Sequence, residues 1–243
     1  MTTKSSKSPS PRTTSTTSSL GREALRGVAF GAGAAVLVCL GTWLSPLAAA
    51  DRPALALVAV TLSLPLGCVV GRRTRGVRDA GGIGMAAVVA ALALSGGVSL
   101  GEPALFLRTA SWCLAAGVLG AALSSMTRGA GIAAACVWLF LCGLPFFYQH
   151  LPAFRETGES WAVNGCPWLG FSMDAFGGDP LRRTVIYMGQ WTELTGATSL
   201  SMLRASTLWL AAVPAFASLI FASAIGQSRE QTEDTAVVER AGA

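Results

Sequence analysis

Six stretches of roughly 20 residues in this chain carry at most one charge each. About 20 predominantly apolar residues, at 1.5 Å per residue, cross a hydrocarbon core of about 30 Å. They are Gly27–Ala50, Pro53–Gly71, Ala80–Leu100, Pro103–Met126, Gly129–Tyr148 and Ala205–Gly226. Together they use most of the 243 residues, so no separate soluble domain of useful size remains. Only 13% of residues are charged and mean hydropathy is +0.53, against about 25% charged for an ordinary soluble chain. The expected fold is all-α: a polytopic transmembrane helix bundle of six spans.

The ends and connections are read in the same way. Residues 1–26 are a disordered tail, rich in Ser, Thr and Pro, followed by a short interfacial piece, Leu20–Arg26. Ala48-Ala49-Ala50 after a basic start resembles a signal cleavage site. The 24-residue uncharged run before its end is too long for a signal core of about 7–15 residues, so it is read as a span. Pro65 is tolerable inside its span because a neighbouring helix can satisfy the carbonyl it frees. Residues 227–243 form a polar, acidic tail.

Arginine and lysine set the orientation. With the N-terminus in the cytosol, twelve of these residues lie inside, including Arg72, Arg73, Arg75, Arg78 and Arg128. Five lie outside: Arg52, Arg155, Arg182, Arg183 and Arg204. Both termini are therefore placed in the cytosol, and residues 149–204 form one large outer segment. Arg108 remains near the outer end of the fourth span, where its stem can reach the headgroups. Trp43, Phe146, Phe147, Tyr148 and Trp209 fall near outer ends, as an aromatic belt would.

Three glycine pairs, Gly27/Gly31, Gly67/Gly71 and Gly97/Gly101, each lie on one helix face. Such faces let helix backbones approach closely. Packing within the chain is the expected use, and a dimer interface is the alternative. Five of the six cysteines fall in the spans; Cys166 lies alone in the outer segment, as a packed or free thiol or as the site of a disulfide between two copies.

The outer segment carries the most individual sequence. Ser172 is placed to cap a short helix through Phe176, ended by Gly177-Gly178. Asp179-Pro180 starts a second helix, with Leu181, Val185, Met188 and Trp191 at helical spacing and Arg182 and Arg183 free to face water. This is an amphipathic interfacial helix, anchored with Trp161 and Trp168. It serves as a packed cap, a gate or a docking surface.

Much chemistry is absent. Lysine occurs only at positions 4 and 7 and there is no P-loop, so the chain cannot itself bind ATP that way. His150 is the single histidine, which excludes a multi-histidine zinc or haem site. No Asp, Glu, Lys or His lies deep in a span, where proton-coupled carriers keep a relay. No cofactor, metal or nucleic-acid partner is expected. Capping and solvation account for the carboxylates Glu156, Glu159, Asp174 and Asp179.

In topology, though not in any sequence motif, the chain resembles the membrane subunit of ABC-type exporters. Members of that family have six spans with both termini inside. Short non-spanning helices sit in the segment between spans five and six, and a cytosolic turn between spans two and three meets a separate ATPase. The resemblance implies that Arg72, Arg73, Arg75 and Arg78 form the docking element. The outer gate or interface would be built from Trp168, Asp179, Leu181, Arg182, Arg183, Val185, Met188 and Trp191. The 71–80 turn is short and glycine-containing, a departure from the robust coupling helix of that family. The resulting expectation is a non-catalytic permease-like subunit of an ATP-driven export system, working as a homodimer in a bacterial inner membrane. A membrane scaffold binding another membrane protein through its outer segment is the alternative. An enzyme built around His150 ranks last.

Overall fold

A backbone in lipid has no water to bond, so an apolar run satisfies its own N–H and C=O groups by forming a helix. The computed structural model describes residues 16–43, 52–72, 80–99, 102–147, 164–177 and 203–242. Seven α-helices account for the long regular elements there: α1 (Thr16–Trp43), α2 (Arg52–Arg72), α3 (Ala80–Ser99), α4 (Pro103–Met126), α5 (Arg128–Phe147), α6 (Pro167–Phe176) and α7 (Ala205–Gly242). Five contain a stretch long and apolar enough to cross a bilayer: Gly21–Gly41, Pro53–Arg72, Ala80–Ser99, Pro103–Met126 and Ala205–Ile225. These stretches make the chain a multi-pass integral membrane protein. The fifth expected span is helical through Phe147, but its apolar stretch, Gly129–Pro145, is shorter than the other five.

Helix ends depart from the sequence reading in three places. The interfacial piece expected at residues 20–26 is not separate, because α1 runs unbroken from Thr16. Extending an existing helix costs far less than nucleating one, and an ion pair between Glu23 and Arg26, three residues apart, supports that turn. For the same reason the polar tail after Gly226 continues as helix to Gly242. The short outer helix begins at Pro167 rather than Ser172, since proline at the first helical position is already set for the helix.

Two helix pairs form the bundle's frame, α1 with α3 and α2 with α4, and their contact is backbone on backbone. A Cβ added at Gly67 would lie 2.1 Å from the Gly117 carbonyl oxygen, and one at Gly71 would lie 2.3 Å from that of Ala121. On the other pair, a Cβ at Gly31 would lie 2.2 Å from the Ala90 carbonyl oxygen. The glycine faces therefore serve packing within the chain. Sixty-one per cent of the spanning windows of α2 and α4 is buried, against 22% for α1 and 17% for α7. Thus α2, α3 and α4 form the centre, and α1 and α7 present apolar residues such as Leu37, Leu210 and Phe221 outward to lipid.

Pro65 shows how the interior satisfies its polar groups. Its missing N–H frees the carbonyl of Thr61, one turn back. The indole N–H of Trp138, on α5, donates to that oxygen at 2.9 Å. Nearby, Ser124 of α4 donates to the Cys68 carbonyl of α2 at 2.8 Å.

Candidate functional site

The most specific polar arrangement lies at one end of the bundle, around α6. This ten-residue helix is too short to span. Cys166 precedes Pro167 in extended conformation, and Gly177 closes the helix in the left-handed region (φ 66°), its N–H donating to the Met173 carbonyl at 3.1 Å. Its buried residues are Pro167, Trp168, Leu169, Gly170, Phe171, Ser172 and Ala175. A helix buried on most of its faces is a wedge rather than a surface strap, and α6 packs against α2, α4, α5 and α7.

Aromatic rings set its seat. Phe171 meets Trp112 of α4 edge-to-face, with centroids 6.0 Å apart, and Phe176 meets Phe171 likewise at 5.8 Å. The Trp168 indole donates to the Cys142 carbonyl of α5 at 2.9 Å. Gly170 is required by close approach, since a Cβ there would lie 2.3 Å from the Leu203 carbonyl oxygen.

Asp174 is the hub. Its carboxylate accepts from the Trp112 indole (3.1 Å), from the Arg204 guanidinium (2.9 Å) and from the backbone N–H of Ala205 (2.9 Å). The last is the first residue of α7, where a carboxylate is favoured by the unpaired N–H groups and the helix dipole. At the other polarity, the Arg108 guanidinium donates to the Ala175 carbonyl in the last turn of α6, a favourable place for a cation. One carboxylate thus joins α4, α6 and α7. Trp209 of α7 adds a bond to Ser111 of α4 at 3.2 Å.

Among the described residues, the buried hydroxyls of Ser99, Thr109 and Ser172 have no hydrogen-bond partner. Each such group costs on the order of 1–3 kcal/mol relative to a bonded one. Cys166 is fully buried, so it cannot reach a second copy, and the disulfide alternative is overturned. Burial pushes its thiol well above the usual range, which keeps it protonated and unreactive near neutral pH.

The sequence matches no protein family and no curated protein, and no solved structure matches the chain. Fold and site therefore carry the functional reading.

Of the residues singled out from sequence, Trp168 sits in the wedge and Arg72 lies exposed at the last residue of α2, the opposite end of the bundle. Arg73, Arg75, Arg78, Asp179, Leu181, Arg182, Arg183, Val185, Met188 and Trp191 lie outside the described residues, as does His150. The structure adds Trp112 and Arg204, and it corrects two readings: Asp174 is a bonded hub rather than a solvated acid, and Arg108 bonds the Ala175 carbonyl rather than only reaching the headgroups. A signal existed for them: a tryptophan and an arginine within a span each need a polar partner, and Asp174 is the acid nearest the end of the short helix. Among the described residues no group of three or more His, Cys, Asp or Glu side chains could hold a metal.

Proposed function

We propose that the chain is a non-catalytic, permease-like subunit of an ATP-driven transport system in a bacterial cell membrane. In this reading α5 crosses as the fifth of six spans, both termini are cytosolic, and α6 belongs to an outer gate. The observation that carries it is the α6 wedge: a short non-spanning helix placed between α5 and α7 and latched by Asp174 to the start of α7. The exposed Arg72 agrees with a docking element at the opposite end.

The test is co-purification. The full chain, isolated from its native host, retains an ATPase, and replacing Arg72, Arg73, Arg75 and Arg78 together by serine releases it while topology stays intact. ATPase retained by the quadruple variant removes the docking role, and no ATPase with the unaltered chain removes the reading.

A second reading, a scaffold that holds another membrane protein through residues 149–204, draws on the filled centre of the bundle. The gap among α2, α3 and α4 is only about 10 Å³, room for about one water. A permease would then need its path between two copies. The scaffold reading predicts a stable partner that survives without any ATPase.

A further inference from the structure

Two buried cysteines meet where α5 passes the start of α6. Cys142 lies in the second half of α5, and Cys166 is the residue before α6. Two contacts bracket the pair. Just before Cys166, a Cβ on Gly165 would lie 3.3 Å from Leu141 Cδ2. Just after it, the Trp168 indole donates to the Cys142 carbonyl at 2.9 Å. Both thiols are free, and Cys142 is 5% and Cys166 0% exposed. The Cys142 thiol is among the groups that raise Cys166, so the two are near enough to act on each other.

The seat of α6 decides whether they react. Burial is the largest cause that raises Cys166, while the backbone N–H groups of Trp168 and Leu169 act in the opposite direction. Those N–H groups lie in the first turn of α6 and travel with it. The burial does not travel, because α2, α4, α5 and α7 supply it. Lifting α6 therefore removes what opposes the thiolate and keeps the helix N-terminus that favours it. We propose that Cys142 and Cys166 form a redox pair whose intrachain disulfide locks α6 onto α5. The pair is inert while α6 is seated and open to exchange when α6 lifts. The oxidant is a small disulfide, R–S–S–R. Cys166 attacks one of its sulfurs, forming Cys166–S–S–R and releasing R–SH. When α6 reseats, the Cys142 sulfur attacks Cys166 Sγ, and its proton leaves with the second R–SH. The two thiols lose two electrons, and R–S–S–R is reduced to two R–SH. The inference needs only the α5–α6 contact and is independent of the transport reading.

The experiment uses the full chain, reduced, in nanodiscs, with dithiodipyridine as the small disulfide. Chymotryptic peptides are mapped by mass spectrometry without reductant. A peptide pair joined through Cys142 and Cys166 should appear and should be lost on reduction. Asp174→Ala, which releases α6 from α7, should form that bond several-fold faster than the unaltered chain, and Arg204→Ala, a milder break, should fall between. The oxidised unaltered chain should melt several degrees above its reduced form, since the bond constrains the unfolded chain. Cys166→Ser should show neither bond nor rise. Both cysteines still free in all three chains overturn the proposal. So does a Cys166 adduct that never passes to Cys142, or a bond from Cys166 to any other cysteine. Equal rates in the three chains remove the control by the seat and overturn it as well.

Discussion

The Trp112 indole donates to the Asp174 carboxylate at 3.1 Å, tying the third turn of α4 to a residue 62 positions later in the chain. The same carboxylate holds Arg204 and the first N–H of α7. A single side chain therefore fixes how three helices meet at that end, and its removal should be felt in all three.

Asp174→Ala leaves the Trp112 N–H, the Ala205 N–H and the Arg204 guanidinium without their acceptor. Hydrogen bonds to charged groups contribute about 1.5–3 kcal/mol each when well buried. The Arg204 side chain is 40% exposed and that of Asp174 is 22% exposed, so the ion pair itself contributes less. A total loss of about 2–3 kcal/mol is expected, read as a lower thermal midpoint of the detergent-solubilised protein. Arg204→Ala alone should cost less than half as much, and equal losses would argue against Asp174 as the hub.

Glycine substitutions separate close approach from helix preference. Gly67→Ala forces a methyl to 2.1 Å from the Gly117 carbonyl oxygen, whereas Gly117→Ala meets nothing nearer than 3.8 Å. The first should cost about 3 kcal/mol or more, because neither backbone can yield cheaply. The second should cost little, and so should Gly33→Ala, which meets nothing within 4 Å. Folded yield by size-exclusion chromatography ranks the three, and equal yields would remove the proposed α2–α4 contact.

Cys166 should be inert while the protein is folded. A maleimide should label it slowly in mild detergent and rapidly after denaturation, as followed by the mass of the peptide containing it. The sign of its pH effect follows from its raised thiol value. Stability from this group is complete below the unfolded value of about 8.5 and declines as pH rises above it, because the unfolded chain then releases a proton that the folded chain holds. Cys166→Ser should flatten that decline.

Membrane-impermeant thiol labelling addresses α5, the fifth expected span. Thr127→Cys and Phe176→Cys, both at exposed positions flanking α5, should react from opposite sides: Phe176→Cys in intact cells, Thr127→Cys only after permeabilisation. Reaction from one side would mean that α5 does not cross.

Length and charge spacing determined the helical membrane character, because lipid offers the backbone no other partner, and they placed four of the five stretches closely; the first begins at Gly21 rather than Gly27. The same reasoning anticipated that Pro65 would need help from a neighbouring helix. It could not name Trp138, because the donor lies 77 residues away from Thr61 in sequence, and no periodicity encodes such a distance. The helix ends at Thr16 and Gly242 were misjudged because composition reports what each residue prefers alone, whereas a growing helix carries polar neighbours along. The hub at Asp174 and the burial of Cys166 were decided by the tertiary structure. Each depends on which surfaces of remote helices meet, and in lipid that choice is made by shape and by the few available hydrogen bonds, which a one-dimensional pattern does not record.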